Sequence, residues 1–98
     1  MRLVGRIALA LMVSAASTVA AAGECRVQNA SQRGQWKFIR GYDVTDNIVV
    51  LRQPINGGDS KPVTVKGASV RVEYKLAGDK HYHPAHVAAC EGGNVVRI

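Results

Sequence analysis

The chain has 98 residues, with 13 Lys and Arg against 7 Asp and Glu, 3 His and 2 Cys, for a formal net charge of +6 at neutral pH. A chain this short holds one small domain. Its basic residues stand singly, with no run of consecutive Lys or Arg, which argues against the clustered face of a nucleic-acid binder.

The first segment reads as a leader. Arg2 and Arg6 open it, an apolar run from Ile7 to Val13 follows, and small residues fill positions up to Ala22. Basic, apolar, small is the order of a secretory signal peptide, and the apolar core is too short for a membrane span. Ala20 and Ala22 fit an A-x-A site with cleavage before Gly23, and a cut one residue earlier fits nearly as well. Residues 1–22 are therefore expected to be removed and 23–98 to form the domain, secreted or periplasmic. Glu24, directly before Cys25, is the wrong residue for lipid attachment, so the domain is expected not to be membrane-anchored. The leader takes Arg2 and Arg6 and no acidic residue, leaving a net charge of +4, which favours anionic partners.

In the mature chain, Cys25 stands at the start and Cys90 near the end, in a compartment where disulfides persist. A bond between them is expected. A domain this small gains much from it, because its own core buries a modest share of its surface.

Strand patterns fill the interval. In Gly34–Val44, Trp36 and Phe38 fall on one side, Trp36 is expected at the centre of the core, and Gly41 marks a bulge or bend. Asn47–Gln53 is apolar on both faces from Ile48 to Leu51, as in a central strand. Pro62–Lys66 alternates briefly, and Ser69–Leu76 alternates strictly, with Val70, Val72, Tyr74 and Leu76 opposite Arg71, Glu73 and Lys75. Turn residues separate the runs at Thr45–Asn47, Asn56–Ser60, Ala77–Lys80 and Glu91–Asn94, and Val95–Ile98 pairs back as a last strand. No helical periodicity with caps appears after Gly23. The fold class is all-β: a small five- to seven-stranded barrel or sandwich of the OB or SH3-like sort. In cysteine placement and strand count, the chain resembles small secreted OB-fold binding subunits of bacterial toxins.

All three histidines lie within "HYHPAH", residues 81–86. If a strand leaves the preceding turn and runs to His83, Asp79, His81 and His83 share a face, and Pro84 swings His86 toward them. Such a nitrogen and oxygen set suits Zn or Cu. Met1 and Met12 leave with the leader, which removes thioether ligands. The plainer alternative is a solvated group of imidazoles that titrates between pH 5 and 8. Tyr82, opposite His81 and His83, is the surface aromatic best placed for partner contact.

Ser31, Thr45, Ser60, Thr64 and Ser69 belong to no nucleophile motif, the carboxylates are scattered, and neither glycine pair leads into a helix as a phosphate loop would. The chain is therefore expected to be no enzyme. The leading expectation is an exported β-domain that binds a protein or glycan, with residues 53–62, 77–86 and Tyr82 as first contacts. The alternatives are a Zn- or Cu-binding protein using His81, His83, His86 and Asp79, and an inhibitor of a secreted hydrolase. Oligomeric state stays open, because an exposed strand edge can pair across a symmetric interface.

Overall fold

The computed structural model describes residues 23–98, so the leader, its cleavage point and both methionines lie outside the described residues. Seven strands follow in order: β1 (Glu24–Gln28), β2 (Lys37–Asp43), β3 (Ile48–Ile55), β4 (Ser60–Thr64), β5 (Ser69–Lys75), β6 (His86–Ala89) and β7 (Asn94–Arg97). They form two sheets, ordered β4-β1-β7 and β3-β2-β5-β6. β1 pairs antiparallel with β4 and parallel with β7, whereas every pairing in the larger sheet is antiparallel. The all-β expectation holds, and the barrel does not close. The chain passes from one sheet to the other between β1 and β2, β3 and β4, β4 and β5, and β6 and β7, which makes an open sandwich.

Alternation builds the core. Ile39 on β2, Val70 and Val72 on β5, Val27 on β1, Val63 on β4, Val96 on β7 and Leu51 and Ile55 on β3 all point between the sheets and are buried. Each such side chain contributes about 2 kcal/mol of transfer free energy. The Cys25–Cys90 disulfide lies among them and joins β1 of one sheet to the end of β6 in the other, with Cα atoms 4.9 Å apart.

Two buried polar side chains fasten the corners. Asn29 donates from Nδ2 to the carbonyls of Gln35 and Ile55, both at 2.8 Å, and its Oδ1 accepts the Ser31 amide at 2.9 Å. Asp43 closes the β2–β3 turn: its carboxylate accepts the amides of Thr45 at 3.0 Å and Lys66 at 2.8 Å. Backbones meet closely at Gly57, where a Cβ would sit 1.8 Å from the Gln32 carbonyl oxygen. That contact seats the loop after β1 against the β3–β4 turn, and only glycine permits it.

Several sequence expectations need correction. Trp36 is not the core centre: it precedes β2 and is 51% exposed, and the inward positions of β2 are Ile39, Gly41 and Asp43. β3 is an edge strand rather than a central one, and Ile48 and Val49 are exposed on it. Its apolar run is long because it spans a bulge: Gly41 pairs with Leu51 and Tyr42 with Val49, so Val50 is the extra residue. The expected irregularity at Gly41 is thus present, with the inserted residue on the partner strand. β7 leaves the Glu91–Asn94 turn to pair with β1 instead of folding back on β6. Leu76 lies beyond the end of β5 and is exposed.

Candidate functional site

The outward face of the larger sheet carries the most organised chemistry in the described residues. With Ile39, Gly41 and Asp43 turned inward, Phe38, Arg40 and Tyr42 of β2 turn outward. Register sets Lys75 beside Phe38, Glu73 beside Arg40 and Arg71 beside Tyr42. Tyr82, from the segment after β5, lies over this face. The Arg40 guanidinium is 4.0 Å from its ring centre, and the Lys75 ammonium is 5.1 Å from it. The Tyr42 ring has Arg71 at 4.4 Å and Arg40 at 5.6 Å. The result is a continuous ladder of alternating cations and aromatics: Lys75, Tyr82, Arg40, Tyr42, Arg71.

Glu73 sits under the middle of the ladder. Its carboxylate binds Arg40 and accepts from the Tyr42 hydroxyl at 3.4 Å. The hydrogen bond that Arg40 donates to Glu73 raises its guanidinium above the ordinary value, so its charge is permanent. At the far end Arg71 donates to Asn47 Oδ1 at 2.9 Å. Cation–aromatic contacts of this kind contribute about 0.5–1 kcal/mol each. Their larger effect here is to hold long, flexible cationic side chains in fixed positions. With Arg52 beside Arg40 on β3, the face presents four cations to one carboxylate, and that carboxylate is already paired.

The histidine cluster is built differently from the strand expected of it. The turn after β5 exists, closed by Asp79 N–H donating to the Leu76 carbonyl at 3.0 Å. Residues 77–85 that follow are not strand, and β6 begins only at His86. Asp79, His81 and His83 therefore do not alternate on one strand. Among the described residues, no group of three His, Cys, Asp or Glu side chains could hold a metal ion. His83 has a different setting: its ring stacks on Tyr74 with centroids 4.6 Å apart, and its Nε2 lies 3.0 Å from Asp79 Oδ2. Its backbone amide donates to the Tyr74 carbonyl at 2.7 Å, which pins the returning segment and places Tyr82 over the ladder. His81 and His86 are exposed.

No protein-family model, curated protein or solved structure matches this chain.

Asp79 also gives the turn a pH dependence. It accepts the Leu76 amide at 2.8 Å, and this bond, aided by His83, holds its carboxyl below the usual aspartate value. The folded value is depressed, so the contribution is present above the ordinary aspartate pKa of about 3.9 and is lost as pH falls through the lower folded value. An acid titration followed by NMR should show the Leu76 amide moving with the Asp79 carboxyl, below the ordinary range. A Leu76 amide that is silent through that transition would contradict the assignment.

Tyr82, expected at the surface, is half-buried against Arg40 and Lys75. Strict alternation in Ser69–Leu76 marked Arg71, Glu73 and Lys75 as one face. Arg40 and Tyr42 were missed because no signal of their own flags them: their place follows from β2 lying beside β5.

Proposed function

We propose that the protein is an exported, non-enzymatic binding module that engages a polyanionic glycan through the outer face of the β3-β2-β5-β6 sheet. The observation that carries this reading is the ladder of Lys75, Tyr82, Arg40, Tyr42 and Arg71. The tyrosine rings already face guanidinium and ammonium groups, so the face offers directed positive charge rather than bare aromatic platforms for a neutral sugar. Guanidinium groups suit carboxylate, sulfate or phosphate partners. A row of fixed cations along two strands suits a repeating anion better than a single small one. An acidic protein segment is the second reading of the same charge pattern. The disulfide is consistent with a location outside the cytoplasm, and no helix among the described residues is long and apolar enough to cross a membrane.

The test is titration with an acidic polysaccharide such as polygalacturonate, beside a neutral glucan. Binding should be confined to the acidic polymer and should weaken as salt rises. Arg40→Ala with Arg71→Ala should lower affinity about tenfold or more, since charge-assisted bonds contribute about 1.5–3 kcal/mol each. Arg40 also neutralises Glu73, so Arg71→Ala alone, at a half-buried position whose side chain bonds Asn47 instead of Glu73, separates lost binding from lost folding. Equal affinity for the neutral glucan, or unchanged affinity in the Arg71 variant, would refute the assignment.

A further inference from the structure

The sheet ends in an apolar tip that the ladder does not use. Trp36 is 51% exposed, Phe38 38% and Leu76 42%, and all three lie where β2 begins and β5 ends. Two open clefts flank a ridge made by Leu76 and Ala77. One, of about 480 Å³, is walled by Phe38 and Lys75. The other, of about 470 Å³, is walled by Trp36, Tyr74 and Lys37. Both clefts are shallow and open, so large apolar side chains stand proud of the surface instead of enclosing a ligand.

The charges around this tip are lysines. Lys37 and Lys75 line the clefts, and Lys80 follows in the exposed turn. The Lys37 ammonium is held over the Tyr74 ring and donates to the Ile98 carbonyl at 2.8 Å, and that of Lys75 is held over Tyr82. The acidic residue at the same place, Asp79, is committed to the Leu76 amide and to His83. The tip thus combines a protruding Trp, a Phe and a Leu with surrounding ammonium groups and no free carboxylate of its own. Other exposed apolar residues, Val44, Ile48 and Val49, lie at the opposite end of β2 and lack this arrangement: the carboxylate of Asp46 pairs there with Lys66.

We propose that this tip docks the protein on an anionic lipid surface, with Trp36, Phe38 and Leu76 entering the headgroup region. Tryptophan favours the boundary between headgroups and acyl chains, where an apolar ring body and a polar N–H are both satisfied. Lys80 reaches outward along its apolar stem to anionic headgroups and the held charges of Lys37 and Lys75 add attraction, so apolar insertion and charge attraction act at the same place. Charge complementarity selects an anionic membrane over a neutral one, and the tip's small apolar area makes the docking peripheral and reversible. The tip adjoins the ladder and shares Lys75 with it, whereas Trp36, Phe38 and Leu76 belong to the tip alone.

The chain contains a single tryptophan, which makes the test direct. The secreted protein, expressed with its own leader, is mixed with phosphatidylglycerol vesicles and with phosphatidylcholine vesicles. With the anionic vesicles, Trp36 emission should shift to the blue and the protein should co-sediment, and high salt should reverse both. Leu76→Ser, alone and with Phe38→Ser, removes apolar surface without changing charge and should weaken vesicle binding about tenfold. Leu76 lies outside β5 and is exposed, so the single variant keeps the fold.

Three results would overturn the proposal. Co-sedimentation without a Trp36 shift would mean that charge alone, through the ladder face, attracts the protein. Unchanged binding in the Leu76 variant would remove the tip from the contact. A blue shift that grows with protein concentration in the absence of vesicles would assign the tip to a second copy of the chain. Loss of glycan binding in the Arg71 variant, with vesicle binding retained, would leave this inference standing on its own.

Discussion

Reduction of the Cys25–Cys90 disulfide is expected to lower stability by about 4 kcal/mol in the chain-entropy model, because it reopens a loop with a sequence separation of 65. A domain of this size has a total stability on the order of 5–10 kcal/mol, so the loss is a large part of the whole. Position adds to length. Cys25 lies in β1 of the smaller sheet and Cys90 directly follows β6 of the larger one, and both are buried in the core. The bond therefore ties together two sheets that share no strand pairing. Urea unfolding of the oxidised and reduced protein measures the effect. The midpoint should fall and the dependence on urea should steepen, because the reduced unfolded chain exposes more surface. A change below about 1 kcal/mol would show that core packing alone holds the sheets and would set the loop-closure argument aside.

The same two cysteines illustrate what a sequence exposes about a fold. Their pairing was legible because only one pairing exists and compartment and spacing favour it. The strands were legible where one face is wet: Ser69–Lys75 alternates because β5 is central to a sheet with one solvated side. β3 misled because an apolar run reads as burial on both faces, whereas here a bulge shifts the register and Ile48 and Val49 end up exposed on an edge. Trp36 misled for a related reason. Size and hydrophobicity place a lone tryptophan in the core on average, but this one stands outside the strand whose alternation it was expected to share.

The candidate site was less legible than the fold, and the reason is topological. A ladder needs Arg40 and Tyr42 of β2, Arg71 and Lys75 of β5, and Tyr82 from a returning segment. Each is an ordinary outward residue on its own strand, and only the β2–β5 register assembles them. The histidines, by contrast, are conspicuous as neighbours in sequence. Pro84 and the irregular path of residues 77–85 give them three different surroundings. Proximity along the chain carried little information about proximity of ring nitrogens.

Asn29→Ala is expected to destabilise the protein by about 3 kcal/mol and to loosen the segment that presents Trp36. The Asn29 side chain is buried and uses both of its polar atoms on backbone groups: the carbonyls of Gln35 and Ile55 and the amide of Ser31. Truncation strands those three groups, the Ile55 carbonyl fully enclosed and the other two partly, at about 1 kcal/mol each. The Gln35 carbonyl directly precedes Trp36, and the bond to Ile55 fastens that stretch to the end of β3. Hydrogen exchange should therefore accelerate at residues 30–36 more than in β5, and Trp36 anisotropy should fall in the native baseline before global unfolding. Asn29→Asp should be worse than Ala, because a carboxylate cannot donate to the two carbonyls and would face them with its own charge. A variant that loses less than about 1 kcal/mol would mean that a water molecule fills the vacated space and bridges the same groups. In that case the loop owes its position to the Gly57–Gln32 backbone contact, and the tip would keep its geometry without Asn29.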